Sequence, residues 1–260
     1  MNFLTIRASE YFIFNNEYST NYGVKNCNIQ TGLQEEIFTY SREIISTQIK
    51  GKDNPYLQYI KPSPLKFNVT LFFEDNFDFD KLNKLVYLLN QPYYVPMIFS
   101  EDLYKVYYVL LSDDSNLNHN CLNQGYVTLT FICNSPYSFS PIYKSQLYDL
   151  SSNPTYTDIE FVNSGFVSCT PELYIKKVNN GDFSIINLSD VGKEFKFTSL
   201  IDDEEISVNN EHEIINTSLL ATFRYDNFNM NFLSLPRGRN ILKVTGTAIF
   251  YFQYQFKFLS

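Results

Sequence analysis

Alternating hydrophobic and polar positions recur along most of the chain, and this spacing predicts β-strands. In residues 250–258, FYFQYQFKF, every second residue is Phe or Tyr and falls on one face, while Tyr, Gln and Lys fall on the other. Strands are likewise predicted at 67–73, 103–111 and 125–132. One face of each strand is expected to pack into a core, so the chain is predicted to be mainly β.

Only one stretch, about 79–90, shows convincing helical spacing. Asp78 is a candidate N-cap, and Pro92 stops the helix because proline cannot continue it. The apolar stripe expected to lie on a sheet is formed by Phe79, Leu82, Leu85, Val86 and Leu89.

Residues 31–64 show no sustained pattern of either kind and are too long for an ordinary loop. We predict an extended hairpin or arm that is ordered by a neighbouring subunit. The candidate residues for that subunit interface are Ile37, Phe38, Ile44, Ile45 and Ile49.

The strand at 125–132 ends abruptly in a segment with two prolines. Proline cannot donate a ladder hydrogen bond, so a central strand should not continue through Pro136 and Pro141. We predict an interdomain linker that contains Pro136, Tyr137 and Pro141. Beyond it, short strands separated by regular turns are typical of a β-sandwich. The predicted domains are residues 1–141 and 145–260.

Composition supports two folded β domains and argues against nucleic acid as a bound ligand. Hydrophobic residues make up 44% of the chain, and aromatic residues make up 17% with no Trp, which favours strands. The net charge is −8, and each half, divided after Pro141, carries −4 (10 basic and 14 acidic residues). Neither half has the basic excess that phosphate binding requires.

The sequence contains few residues or motifs that could form a metal, cofactor or nucleophilic site. Only His119 and His212 could supply an imidazole, and both lie in polar, loop-like sequence. No P-loop, GxGxxG or GxSxG motif occurs, so we expect no cofactor and no enzymatic activity. No two cysteines form a CxxC pair, so we expect thiols rather than a zinc site at Cys27, Cys121, Cys133 and Cys169.

The densest acidic cluster is Asp202–Glu205, for which three interpretations remain open. A solvated turn is favoured, because adjacent acids point in different directions and repel one another. A calcium site and a catalytic carboxylate are the alternatives. No signal peptide and no run of about 18 apolar residues occurs, so we expect synthesis in the cytoplasm and no membrane partner.

The order of the motifs resembles the phage distal tail protein family. Phe14-Asn15 and Tyr22-Gly23-Val24 are similar to the opening "FNG…FGI" pattern, although Asn16 replaces the common Gly. The helix before Pro92 is placed as in that family. Later matches are Phe131, Cys133, Pro136 and Tyr137, then Asn163, Gly165 and Pro171, then Gly238 and Asn240.

The resemblance implies a tail-tube-like β-barrel or sandwich with one helix, followed by a galectin-like β-sandwich. It implies a hexameric ring at the tail tip of a virion, through which DNA passes as cargo. The implied partners are the tail tube protein, the tail-tip hub or tail-associated protein, the tape measure protein and a receptor-binding protein. The alternative function is a carbohydrate-binding module acting in adsorption to the host surface.

Overall fold

The computed structural model describes residues 6–27, 37, 39–73, 78–120 and 124–259. The chain is mostly β, with 51% of residues in strands and one α-helix in the described part. The predicted mainly-β class with one helix is therefore confirmed. The chain divides into two compact units, the first ending at Phe139 and the second running from Ser140 to Phe258.

The first unit is built on one antiparallel sheet of short and medium strands. It also contains a 3-10 turn at Ser19–Tyr22 and the helix α1 at Phe79–Leu89. Its strands are β1 (Phe12–Phe14), β2 (Glu17–Tyr18), β3 (Val24–Asn26), β4 (Arg42–Thr47), β5 (Tyr56–Pro62), β6 (Lys66–Phe73), β7 (Val95–Phe99), β8 (Asp102–Leu111), β9 (Leu117–His119), β10 (Gly125–Cys133) and β11 (Tyr137–Phe139).

Strand pairing in this sheet follows the order β2-β1-β7-β8-β10-β6-β3, and β9 pairs with β10. The β6–β10 ladder is continuous from Phe72 opposite Tyr126 to Lys66 opposite Ile132. Phe67, Val69, Leu71 and Phe73 of β6 are buried, as the period-two pattern predicts, and Thr70 is buried on the opposite face. The Phe67 ring centroid lies 5.9 and 6.0 Å from those of Phe99 and Phe131, so aromatic rings pack together within a core whose other residues are mostly aliphatic.

The helix begins and ends close to the predicted positions, but its buried face differs from the predicted stripe. The Asp78 carboxylate accepts a hydrogen bond from the Asp80 N–H at 3.1 Å, which confirms the N-cap. Phe79 and Val86 are 65% and 57% exposed. The residues that pack on the first core are Leu82, Leu85, Leu88 and Leu89. Helical spacing alone did not decide which edge of a broad apolar stripe would meet the sheet.

The second unit contains two sheets that share one core. Its strands are β12 (Tyr143–Lys144), β13 (Tyr148–Asp149), β14 (Tyr156–Asn163), β15 (Glu172–Lys177), β16 (Gly181–Asn187), β17 (Lys193–Leu200), β18 (Glu205–Asn209), β19 (Ile214–Thr217), β20 (Gly238–Thr245) and β21 (Ala248–Tyr254), with a 3-10 turn at Tyr225–Asn227. A short strand β22 (Lys257–Leu259) follows and belongs to neither of these two sheets.

One sheet has the order β12-β21-β15-β18-β19, with β13 also on β21, and the other has the order β14-β20-β16-β17. Leu173 and Phe250 of the first sheet and Phe183 and Val244 of the second are fully buried in the same cluster. The Phe183 and Phe250 rings join the two sheets at 5.6 Å. This arrangement is that of a β-sandwich.

The predicted terminal strand at 250–258 is divided in the structure. Strand β21 ends at Tyr254, and the backbone of Phe256 instead bonds Ser140, with its N–H donating to Ser140 Oγ at 2.9 Å. The Ser140 N–H donates to the Phe256 carbonyl at 2.8 Å. The ladder partner changes here, so alternation in the sequence continues through a break in the strand.

The junction between the units is shorter than the predicted linker. Tyr137 begins β11, which pairs with β8 through Phe139 and Val106, and its ring contacts Tyr40 at 6.0 Å. Pro136 and Tyr137 therefore lie within the first unit, and Pro141 lies within the second. Strand β12 precedes the predicted start at residue 145, because Tyr143 pairs with Tyr254.

A buried asparagine at the end of β14 generates a stability prediction. Asn163 is 1% exposed; its amide donates to the Val167 and Leu235 carbonyls at 2.9 Å, and its carbonyl accepts from the Gly165 N–H at 2.8 Å. Asn163→Ala orphans the Val167 carbonyl and the Gly165 N–H, whereas the Leu235 carbonyl keeps its bond from the Cys169 N–H at 2.9 Å. Each orphaned group costs roughly 1–3 kcal/mol. We expect urea unfolding to show a loss of about 3 kcal/mol.

The matched control is Asn231→Ala, at an exposed position of the same unit. Its free energy of unfolding should change by less than about 0.5 kcal/mol. Equal losses in the two variants would show that the Asn163 hydrogen bonds do not hold this loop.

Candidate functional site

The β4–β5 hairpin is the most exposed ordered element of the first unit. Ile44 lies opposite Ile60 on one face, and Ile45 lies opposite Tyr59 on the other. Within the described residues the ladder has no third strand. Such a two-stranded ribbon is marginally stable by itself in water, so it needs further contacts to hold its shape.

Large apolar side chains on this hairpin point into solvent. All seven residues of β5 are exposed, including Leu57 at 60% and Tyr59 at 57%. Isolated exposed apolar residues are ordinary, but a row of them on an unpaired ribbon marks an interaction surface. We call the set Ile44, Ile49, Tyr56, Leu57, Tyr59 and Ile60 the hairpin patch.

The end of the hairpin is held by local polar contacts. Gly51 adopts a φ of +87°, a conformation that side-chain-bearing residues rarely take. Lys52 Nζ donates to the Tyr56 hydroxyl at 2.7 Å, and Gln58 Nε2 donates to Thr47 Oγ1 at 2.6 Å. These hydrogen bonds stabilise the turn end of the hairpin, but they leave its apolar side chains exposed.

The predicted interface residues divide into three groups. Ile44 and Ile49 are 67% and 47% exposed, and Ile45 is half-buried. Ile37 instead packs against the hydrophobic core of the first unit, so burial within its own unit accounts for this apolar residue. Phe38 lies outside the described residues. The structure thus brings three of the five candidates to the hairpin.

Sequence reasoning missed the β5 half of this surface. The run Tyr56-Leu57-Gln58-Tyr59-Ile60 carries most of the exposed apolar residues of the hairpin. The prolines that flank it indicate turns, and this signal obscured the strand between them. The run has the β-branched and aromatic composition of a strand, and that signal could have found it.

The acidic stretch Asp202–Glu205 is not a fully solvated turn. Glu204 is 1% exposed and forms a bidentate ion pair with Arg224, with Nε–Oε1 and Nη2–Oε2 distances of 2.7 and 2.6 Å. Thr217 Oγ1 donates to Oε1 at 2.6 Å, and the Ile201 N–H donates to Oε2 at 3.1 Å. The carboxylate is thus fully engaged by protein donors, which corrects the favoured interpretation for this residue.

The hydrogen bonds also set the charge state of Glu204. Burial by itself would raise the pKa of the carboxyl, but bonds from Arg224, Thr217 and the Ile201 N–H together lower that pKa below its ordinary value. The pair is therefore charged at neutral pH and has a structural role in the second unit.

The remaining candidate groups do not assemble into a reactive site. His119 and His212 are both exposed, and Cys121 lies outside the described residues. Burial raises the pKa of the Cys133 and Cys169 thiols to about 12, so neither is a reactive thiolate. No cluster of three metal-ligating side chains occurs among the described residues. No helix in that part of the chain is long and apolar enough to cross a membrane.

Comparison with known proteins defines the class. Residues 7–135 match a family model described as a phage tail protein N-terminal domain, and residues 137–254 match one described as a phage tail C-terminal domain. The chain belongs to this family of phage tail proteins. It is 32% identical over 254 residues to the SPbeta prophage-derived uncharacterized protein YomH of Bacillus subtilis (strain 168), an alignment that covers 98% of this chain and 100% of the relative.

Two solved structures share the fold. The Dit protein of phage SPP1, described as a paradigm of hub adsorption apparatus in phages infecting Gram-positive hosts, superimposes with a TM-score of 0.68 at 19% identity, covering 95% of this chain and 98% of that one. A chain of the phage P2 baseplate in its activated conformation gives a TM-score of 0.50 at 11% identity, covering 94% and 97%. The family confirms the predicted recognition as a phage tail protein, and the solved structures show that the chain shares the fold of Dit.

The Glu204–Arg224 pair generates a prediction about pH. At neutral pH, Glu204→Gln leaves the Arg224 charge buried without its partner and should cost roughly 3–5 kcal/mol. Since the folded-state pKa of Glu204 is lowered, its contribution is complete above the unfolded value of about 4.3 and is lost as pH falls through the folded value. Unfolding measured from pH 7 to 3 should therefore show the wild-type advantage shrinking in acid.

The control is Glu160→Gln, which breaks the exposed Glu160–Arg239 pair at 2.8 Å. That loss should be below about 1 kcal/mol. A wild-type advantage over Glu204→Gln that stays constant down to pH 3 would contradict the assignment.

Proposed function

We propose that this protein is the structural ring component of a phage tail tip, a homohexamer that joins the tail tube to the baseplate and adsorption apparatus. The observation that carries the proposal is the hairpin patch. An ordered ribbon with unpaired edges and exposed apolar side chains needs a partner surface, and a neighbouring copy provides one. The SPP1 Dit fold and the phage tail family support the same role.

A closed ring follows from the kind of contact that the hairpin makes. In the proposed ring, the patch meets a different surface on the next copy, which is a heterologous contact. Such contacts either close into a ring or continue as a filament, and a ring leaves no unused patch. We infer six copies from the resemblance to distal tail proteins.

The second domain is inferred to be galectin-like and to carry the attachments to other tail-tip proteins. The inferred partners are the tail tube protein, the tail-tip hub or tail-associated protein, the tape measure protein and a receptor-binding protein. We propose no enzymatic role, since the buried carboxylate and thiols described above are structural groups.

The ring proposal predicts a specific effect of charge on the hairpin. Purified wild-type protein should be hexameric by light scattering and ring-shaped by negative-stain microscopy. The double variant Leu57→Asp, Ile60→Asp should be monomeric, because burying carboxylates at the new interface costs several kcal/mol per contact. Its melting temperature measured on the monomer should fall little, because both side chains are exposed within the chain.

The matched control is Leu188→Asp, which introduces the same charge at a residue 52% exposed in the second unit. This variant should remain hexameric. A monomeric wild type at high concentration, or a double variant that still forms the ring, would contradict the role of the hairpin.

We propose that DNA crosses the ring as cargo without adhering to it. Six copies carry a formal charge of −48 (6 × −8), which opposes association with phosphate. Gel shift with duplex DNA should show no complex even at about 50 mM salt, where phosphate contacts are strongest. A complex that weakens steeply as salt rises would contradict this expectation.

A further inference from the structure

A groove on the outer face of the six-stranded sheet of the second unit is not explained by the fold or by ring formation. It encloses about 550 Å³, within the range of small-molecule sites. A smaller hollow of about 200 Å³ shares Tyr174, Ser207 and Asn216 with it. We call the combined feature the Tyr174 groove.

The groove follows from cross-strand register. Tyr251, Tyr174, Ser207 and Asn216 lie in one row across β21, β15, β18 and β19. In the next row, Lys176 lies opposite Glu205. Ser218 follows at the end of β19, where its Oγ accepts from the Glu205 N–H at 3.0 Å. All of these residues are on the solvent side of the sheet because their neighbours along each strand face the core.

Tyr174 is held in one orientation before any ligand binds. Its ring stacks on Tyr251 with a centroid distance of 4.8 Å and an interplanar angle of 11°. Its hydroxyl donates to Glu172 Oε2 at 2.9 Å, which raises the pKa of the phenol and keeps it protonated. Lys144 Nζ lies 3.7 Å from the Tyr251 ring centroid and fixes the other side of the stack.

This stack leaves one aromatic face open. Tyr251 covers the Tyr174 face on the β21 side, so the opposite face points over β18. Ser207 lies next to Tyr174 on β18, and its small side chain leaves space above the sheet. Asn216 lies next to Ser207 on β19. One face of a pyranose ring can therefore pack against Tyr174, with the hydroxyls of the sugar directed at the polar groups along the groove.

The polar lining matches a ligand rich in hydroxyl groups. Asn216 and Ser218 offer both donors and acceptors, and both are exposed. Lys176 is bound by Asp203 at 2.7 Å, whereas no side chain in the described part of the chain bonds the Glu205 carboxylate. Glu205 is thus available as an acceptor for ligand hydroxyls.

The charges around the groove favour an uncharged ligand. Lys144 and Lys176 are outnumbered by Glu172, Glu205 and the Asp203 that bonds Lys176, so the local formal charge is −1 (+2 − 3) and disfavours an anionic ligand. A phosphate-bearing polymer would require an excess of donors and positive charge that this surface lacks.

We propose that the Tyr174 groove binds a neutral saccharide, with a pyranose ring packed on the open face of Tyr174 and its hydroxyls bonded by Glu205, Asn216 and Ser218. The C–H groups of a sugar face carry partial positive charge and suit the negative face of an aromatic ring. The proposal goes beyond the ring function and does not depend on it, since every groove residue lies within one unit.

Absence of Trp from the chain permits a direct optical test. In full-length Tyr174→Trp the aromatic platform is retained and becomes the single indole of the protein. Titration with a panel of neutral oligosaccharides of glucose, galactose and N-acetylglucosamine should shift its fluorescence with saturation. In a second assay on protein without Trp, calorimetry or saturation-transfer NMR should show that Tyr174→Ala and Ser207→Arg each weaken binding of the same saccharide at least tenfold.

The matched control is Tyr156→Ala, at an exposed strand tyrosine of the other sheet that also carries a lysine over its ring, Lys243 at 4.1 Å. This variant should bind as wild type does. Failure of every neutral saccharide at millimolar concentration, binding unchanged by Tyr174→Ala and Ser207→Arg, or binding of polyglycerol phosphate alone would overturn the proposal. Hexamer formation, measured on the same samples, is a separate result that reports on the ring and not on the groove.

Discussion

Burial of aromatic and aliphatic side chains on one face of the core strands is the interaction on which both units depend. In β21, Phe250 and Phe252 are fully buried, and Tyr251 between them faces outward. In β15 the same relation holds for Leu173, Tyr174 and Ile175. Because successive side chains point to opposite faces, packing the core also fixes which residues form the outer surface. The Tyr174 groove is thus positioned by the Phe residues beneath it.

The hairpin of β4 and β5 does not follow this rule, and that makes it informative. Both of its faces carry exposed apolar side chains, so no core within the described chain accounts for its composition. The first unit is complete without it, since the buried Phe cluster is formed by other strands. A two-stranded ribbon is marginally stable by itself in water, which is the reason for our proposal that a neighbouring copy covers it.

Polar groups inside the second unit specify its loops. Asn163 bonds the Gly165 N–H and the Val167 and Leu235 carbonyls, and Glu204 bonds Arg224, Thr217 and the Ile201 N–H. Some of these partners are near in sequence, such as Gly165 for Asn163, and others are distant, such as Leu235 for Asn163 and Arg224 for Glu204. These contacts belong to the loops at the ends of the sheets, where backbone ladders stop and side chains must supply the missing donors and acceptors.

The sequence by itself determined the features that depend on near neighbours in the chain. Strands such as β6 and β10, the helix cap at Asp78 and the end of β10 at Cys133 follow from local spacing, capping chemistry and the missing proline donor. The motif order also carried the resemblance to distal tail proteins. For the same reason the break after Tyr254 was missed, because alternation persists there while the ladder partner changes.

Only the tertiary structure decided what depends on residues distant in sequence. The face of α1 that is buried, the inclusion of Tyr137 in the first unit, and the burial of Glu204 all depend on which segment packs opposite. Arg224 lies 20 residues beyond Glu204, and no local pattern links them. Likewise, Tyr174, Ser207 and Asn216 form a groove only because β15, β18 and β19 pair in one register, and that register is set by the shared core.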